Sequence, residues 1–301
     1  MRSFLIKVSI YLLVIFSVIG SVVIYYYETS KLPFFTNSVS FNAKAKFILE
    51  NENYFKDCKY FVIGSSMSLN NIDSEILSDS IRHKTINLAS WGMKFSDFND
   101  FNIWDTNKVV IINIHFSDFG QSLIKKKNGY PYSGLSFFSY LNILQDFGSY
   151  YKDLNKYKSS LDNHMNDYYE SLNFNNSGSL IFCKKEKFNI SADRWELNSD
   201  IPTEKDLQYL VNSISVKSKS VKKIVISFSP GRQQGYTKQK ADFINQLASY
   251  LGSMPNVVFF NNYNVKGFDD EAFVDHSHFS EYGAKIYTEL LSRQINELHI
   301  E

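Results

Sequence analysis

The chain has 301 residues, 44% of them hydrophobic, enough to bury a sizeable core and to set intrinsic disorder aside. Lys and Arg total 32 against 31 Asp and Glu, a net charge of +1, so the basic footprint of a nucleic-acid binder is lacking and no nucleic-acid partner is expected. Cys58 and Cys183 have neither the spacing of a zinc site nor the density of a disulfide scaffold; two packed, reduced side chains are the expectation, and a bridge between them the alternative.

The chain opens on a membrane signal. Residues 8–27 read VSIYLLVIFSVIGSVVIYYY, an uncharged run as long as the ~20 helical residues that cross a bilayer's hydrocarbon core. Arg2 and Lys7 precede it and Glu28 follows, which predicts an amino terminus in the cytoplasm. The run ends in three tyrosines, not at a small-residue cleavage site, which speaks against a removed signal peptide. Only Ser and Gly interrupt it, which speaks against a buried core helix. The expected organisation is a cytoplasmic terminus and anchor over 1–29, a linker over 30–43 and a domain over 44–301. That domain would lie outside the membrane, in the periplasm or at the cell surface.

Beyond the linker, short β-branched or aromatic runs recur: 59–63 (KYFVI), 84–88 (KTINL), 108–114 (KVVIINI), 222–228 (KKIVISF) and 257–261 (VVFFN). Their length and composition predict buried parallel strands. Between them lie stretches of helical spacing, around 72–77, 95–104, 204–214, 240–251 and 280–298. Strands alternating with helices predict an α/β fold, a three-layer sandwich with a parallel, flavodoxin-like sheet. Residues 120–200 break the rhythm, being polar and rich in Asn and Tyr. They read as an insertion between the third and fourth strands, with a helix over 137–161, a strand at 180–183 and a solvated loop at Lys125–Lys127. In open α/β sheets ligands bind at the carboxyl ends of the strands, where such an insertion can form a wall.

Two short segments carry chemistry. The first strand runs into Gly64-Ser65-Ser66-Met67-Ser68, and a Gly-Ser turn between strand and helix sets a hydroxyl at the sheet's carboxyl edge. Taken alone this is ordinary turn composition. Near the other end, Asp275-His276-Ser277-His278 precedes the final helix. Asp275 and His278 are three apart, so the carboxylate can orient an imidazole that activates a serine. His83, His115, His164 and His299 lack an Asp at this spacing, and the offset favours His278 over His276. Arg232, in the loop after the fourth strand, faces the same edge and is a candidate to bind a substrate carboxylate or polarise a carbonyl; a plain loop arginine is the alternative.

With these residues in view the chain resembles the SGNH (GDSL-like) hydrolases and acyltransferases over residues 58–298. Their first block, Gly-Asp-Ser, matches Gly64-Ser65-Ser66, and their last, Asp-x-x-His, matches Asp275-His276-Ser277-His278. The resemblance implies Ser66 as nucleophile, with Asp275 and His278 completing a triad, and the Ser66 and Gly92 N–H groups as oxyanion donors; Gly92 comes from the second-block match Asn87-Leu88-Ala89-Ser90-Trp91-Gly92. The third block departs from Gly-x-Asn-Asp: Asn113 stands where the glycine should be and His115 where the asparagine should be. Three arrangements stay open: His115 substitutes, Asn113 reaches in from the strand end, or two donors suffice. Ser65 in place of Asp resembles a divergent, membrane-anchored, cell-envelope branch.

That branch implies O-acyl transfer, most simply acetyl, to a cell-surface polysaccharide, with a multi-span membrane acyltransferase as a possible acyl supplier. An esterase using the same triad and a non-catalytic envelope assembly protein are the alternatives. No cofactor is implied, and no metal, because Asp275, His276 and His278 lack a further convincing ligand.

Overall fold

The computed structural model describes residues 1–30, 39–99, 101–120, 172–181, 201–232, 235–275 and 277–300. Elements are numbered over these residues. Helix α1 (Arg2–Ser30) contains a 21-residue window, Arg2–Val22, long and apolar enough to cross a membrane, and none of that window is buried against the domain. At ~1.5 Å per residue it covers the ~30 Å of a bilayer core.

The expected linker ends earlier than residue 43. Helix α2 (Val39–Glu50) already starts at Val39, because Phe41, Ala45 and Ile48 recur at helical spacing and are at most 1% exposed. A short α3 (Glu52–Asp57) leads into β1 (Tyr60–Ile63), α4 (Ser66–Asn71), α5 (Ser74–Ile81), β2 (Thr85–Asn87) and β3 (Val109–Ile114). Then come α6 (Glu204–Ser218), β4 (Lys223–Phe228), α7 (Lys238–Gly252), β5 (Val257–Asn261) and α8 (Glu281–Glu297). Side chains fix several helix starts: Asp73, Thr203, Thr237 and Ser280 each accept a backbone N–H of the first turn.

All five expected strands form one parallel sheet in the order β2-β1-β3-β4-β5. The fold is therefore α/β, with helices on both faces. Alternation along each strand sorts side chains between two cores. Phe61, Ile63, Val110, Ile112, Ile224 and Ile226 face α2, α3, α6 and α7. Tyr60, Val62, Val109, Ile111 and Val225 face α5 and α8. The chain runs one way from β1 to β2 and the other from β1 to β3, so the carboxyl ends of β1 and β3 form the topological switch where such sheets open a crevice.

Two expectations fail. The stretch 95–104 is a 3-10 turn, Phe95–Phe98, followed by further turns and no α-helix. Asp97 captures the Lys94 N–H at 2.8 Å, and the Trp104 indole donates to the Phe98 carbonyl at 2.7 Å, so its apolar residues reach the core by turning, not by helical rotation. Leu180 and Ile181 are not a strand: the Leu180 N–H and C=O bond to Leu69 O and the Asn70 amide, tying them to α4. The rest of the expected insertion, with its helix over 137–161, Lys125–Lys127 and Cys183, lies outside the described residues. Within residues 172–181, Ser177 O accepts the Asn87 N–H at 2.7 Å, so this piece of the β3–β4 connection returns to the β2 edge of the sheet.

Candidate active site

The first segment is built by a glycine. Gly64 follows β1 with φ +132°, and a Cβ there would stand 2.5 Å from Ser68 Oγ. Ser68 has to be that close because it ties α4 to β3, donating to Asn113 O at 3.0 Å and accepting from Asn113 N at 3.1 Å. Ser65 then caps α4, its hydroxyl accepting the Met67 N–H at 3.2 Å. Ser66 opens the helix and is half-buried, while Gly64, Ser65 and residues 67–71 are buried. Of the three serines in this turn, Ser66 is the one that is not buried.

The loop after β2 lies beside this turn, with the Ser90 N–H on Gly64 O at 3.3 Å. Met93 N returns to Ser90 O at 3.2 Å, closing a turn whose third residue is Gly92 at φ +69°. A Cβ on Gly92 would touch nothing within 4 Å, so backbone conformation and not space calls for glycine there.

The second segment is a closed loop between β5 and α8. Phe273 and Phe279 bridge antiparallel, and Val274 N donates to His278 O at 2.9 Å. Inside the loop Asp275 is fully buried. Its Oδ2 meets His278 Nδ1 at 2.7 Å, while Oδ1 accepts the Ser277 and His278 N–H groups at 2.8 and 2.7 Å. The carboxylate is thus held by two backbone donors with its second oxygen on the imidazole, the orientation that leaves Nε2 for proton transfer. His276 lies outside the described residues.

The remaining candidates are placed differently. Arg232 is 4% exposed and sits behind the dyad loop, its Nη2 donating to the Asp275 carbonyl and its guanidinium 5.1 Å from the Phe273 ring centre. These contacts give it a supporting place in that loop, unlike the open edge position expected for a substrate ligand. Asn113 is fully buried: its amide donates to Met67 O and Ser229 Oγ and its oxygen accepts the Tyr287 hydroxyl. It shares the parity of Val109 and Ile111, which directs it into the layer under α8, so the structure does not bring it to the edge as an oxyanion donor. His115 follows β3, 3% exposed, its ring against Phe116 and Phe228.

A further residue at this edge escaped the sequence reading. Asp118 accepts the His115 N–H at 2.7 Å and a hydrogen bond from Ser65, and it feels the charges of Lys94 and of His278 when protonated. Burial raises its carboxyl above the usual range, and those four partners pull it back. Asp118 therefore ties the loop after β3 to the Gly64–Ser68 turn. Its signal was a carboxylate three residues beyond the end of a strand, but only the folded chain shows that Ser65 and Lys94 meet it.

Cys58 is a reduced, buried thiol donating to Tyr54 O, and burial pushes its pKa up to about 12. Among the described residues no group of three His, Cys, Asp or Glu side chains could hold a metal ion.

No family model matches the chain. No curated protein matches it either. One solved structure, described as "The active site of a carbohydrate esterase displays divergent catalytic and non-catalytic binding functions", is similar over 80% of this chain and 68% of its own, at 9% identity and a TM-score of 0.34. A likeness that loose carries no weight for function, which must be argued from the side chains.

Proposed function

We propose that this chain is a serine acyl-ester enzyme of SGNH type that moves an acyl group, most simply acetyl, onto a cell-surface polysaccharide. The observation that carries the reading is the buried Asp275–His278 pair, bonded at 2.7 Å, at the same sheet edge as the half-buried Ser66. Asp118, bonded to Ser65 and held by the His115 N–H, supports it by fixing the turn that carries Ser66.

In the first half-reaction His278 Nε2 takes the Ser66 hydroxyl proton as Oγ bonds to the acyl carbon. The tetrahedral intermediate collapses, the donor's alcohol oxygen leaves, and it receives that proton from Nε2. In the second, a sugar hydroxyl gives its proton to Nε2 and attacks the acyl carbon; the carbon–Oγ bond breaks and Ser66 recovers a proton. Asp275 keeps the imidazole oriented and stabilises its charged form throughout. Ser66 and Gly92 N–H groups supply the oxyanion contacts, with His115 the remaining candidate for a third. α1 anchors the domain to the cytoplasmic membrane with the site outside, beside a multi-span acyltransferase that delivers the acyl group.

Water as acceptor would make the same site an esterase. The two part on how well the acyl-enzyme excludes water and positions a sugar hydroxyl. The test is to incubate the domain with an activated acetyl ester, locate the adduct by mass spectrometry, and follow its decay with and without envelope glycans. An adduct on Ser66, absent in Ser66→Ala and discharged faster by glycan, supports transfer. Decay to free acid at one rate with every glycan replaces it with the esterase reading. Failure to form any adduct while glycan still binds favours the non-catalytic one.

A further inference from the structure

We infer that Asn71 is a positioning residue that sets the nucleophile and the base in register. The inference rests on the Ser66–His278 reading above and concerns how the fold brings the two together. Asn71 is the last residue of α4, the helix that Ser66 opens, and it is fully buried. Its side chain reaches the dyad loop, 206 and 208 residues further on, and brackets His278 there: Nδ2 donates to Ser277 O at 3.1 Å, and Oδ1 accepts the Phe279 N–H at 2.9 Å. One amide thus grips the peptide groups on both sides of the imidazole-bearing residue.

The grip is itself held. Asn71 Nδ2 also donates to Ser229 Oγ at 3.2 Å, and that hydroxyl accepts the Asn113 amide at 3.2 Å. Asn113 continues to Met67 O and to the Tyr287 hydroxyl, whose oxygen also lies 2.6 Å from Ser227 Oγ. A buried polar layer therefore joins α4, β3, the end of β4, the dyad loop and α8 beneath the site. Within it, Asn71 is the residue that bonds directly to the loop carrying Asp275 and His278. An aliphatic side chain would pack there, but it would leave Ser277 O and the Phe279 N–H without their buried partners and free the loop to shift against α4. A shift of ~1 Å between reacting groups costs on the order of a hundredfold in rate.

The experiment compares Asn71→Ala and Asn71→Asp with Thr288→Val in the soluble domain, using an activated acetyl ester and wild-type and Ser66→Ala proteins as references. Thr288 is also fully buried and ties the Asp73 N–H to α8 at 2.9 Å, so its loss perturbs the same junction without touching the dyad loop. If wild type forms no adduct, the functional reading itself has failed and this inference goes with it. If it does, Asn71→Ala is expected to lower kcat about tenfold or more with KM within about twofold, per folded molecule, while Thr288→Val lowers the melting temperature and leaves kcat within about twofold. Asn71→Asp keeps the acceptor for the Phe279 N–H but, once ionised, cannot donate to Ser277 O or Ser229 Oγ, so its kcat is expected to fall below wild type progressively as pH rises. That variant decides the matter if the alanine protein does not fold. A smaller loss of kcat in Asn71→Ala, a loss carried mainly by KM, an equal loss in Thr288→Val, or an Asn71→Asp profile identical to wild type would each overturn the assignment.

Discussion

Replacing Asp275 by Asn tests the dyad with hardly an atom moved. Oδ1 of the native carboxylate accepts two backbone N–H groups, from Ser277 and His278, at 2.8 and 2.7 Å. The amide oxygen of an asparagine has to take that place, since an amide NH2 there would face two donors. The NH2 then points at His278 Nδ1, which now has to accept, so the ring proton moves to Nε2. An Nε2 that carries the proton cannot take one from Ser66. From comparable substitutions in serine triads the expected loss is about 10³ to 10⁴ in kcat, or about 4 to 5.5 kcal/mol of barrier at 1.36 kcal/mol per tenfold. Folding should suffer much less, since every hydrogen bond keeps a partner, and a charge-assisted bond made neutral changes stability by about 1 kcal/mol. The assay is the acylation rate with an activated ester, measured beside thermal unfolding of the same protein. A folded Asp275→Asn domain within tenfold of wild type would refute the role given to the pair.

Gly64→Ala should destabilise the domain by about 1 to 3 kcal/mol and abolish acylation, because the new methyl meets Ser68 Oγ at 2.5 Å on a backbone of φ +132°; urea unfolding and the ester assay read both. Asp118 has a raised carboxyl pKa, so the stability it contributes is present below the unfolded value of 3.8 and is lost as pH rises through its folded value. Asp118→Asn should therefore raise the melting temperature relative to wild type more at about pH 8 than at about pH 4, while slowing acylation. Lys44 is buried, donating to Asn87 O and Gly178 O with the Phe174 ring centre 3.9 Å away, and desolvation lowers its pKa well below 10.5. Its contribution is full above 10.5 and falls away as pH drops to the folded value, so wild type should gain on Lys44→Met as pH rises towards 10.5 in melting experiments. A chain starting at residue 31 should be soluble, whereas one starting at residue 51 loses Phe41, Ala45 and Ile48 from the core and should aggregate on expression.

The sheet was legible because β1, β3 and β4 are buried on both faces, and continuous runs such as VVIINI have few other uses at that length. The same burial hid the fate of Asn113. With all six residues of β3 buried, no polar alternation reveals which face is which, and only the partners show that Asn113 follows Val109 and Ile111 towards Tyr287. The dyad was legible for the opposite reason: Asp275 and His278 are three residues apart, and a local loop suffices to join them. Asn71 was not, because its bonds to the Asp275–His278 loop span 206 and 208 residues and nothing in the spacing of α4 marks its last asparagine as different from Asn70, which bonds to Leu180 instead. Helix α2 was missed because Pro33 and polar neighbours dominate the reading of the segment before it, while its own apolar positions, Phe41, Ala45 and Ile48, are too few to stand out.

The placement of Ser65 links the departures from the motif. Where the resembling family carries an aspartate beside its nucleophile, this chain has a serine whose hydroxyl both caps α4 through Met67 N and bonds to Asp118. Asp118 comes from the loop after β3, across the switch point from β1, and is fixed there by the His115 N–H. A carboxylate is thus present beside the nucleophile turn, supplied by a different strand and reached through a hydroxyl. Supplying it this way has an electrostatic consequence. The carboxyl is buried at a cost that Lys94 and its hydrogen bonds only partly offset, so burial holds its pKa above the usual range. Ser65→Ala removes the hydroxyl's link to Asp118 and its cap on Met67 but leaves the Asp118 charge in place, whereas Asp118→Asn removes the charge and keeps one acceptor oxygen. If the charge matters to the base, Asp118→Asn moves the acid limb of the pH–rate profile to lower pH, and Ser65→Ala leaves that limb where it is while lowering stability by about 1 kcal/mol through the lost cap. Equal limbs in wild type and Asp118→Asn would reduce Asp118 to a structural partner of the turn.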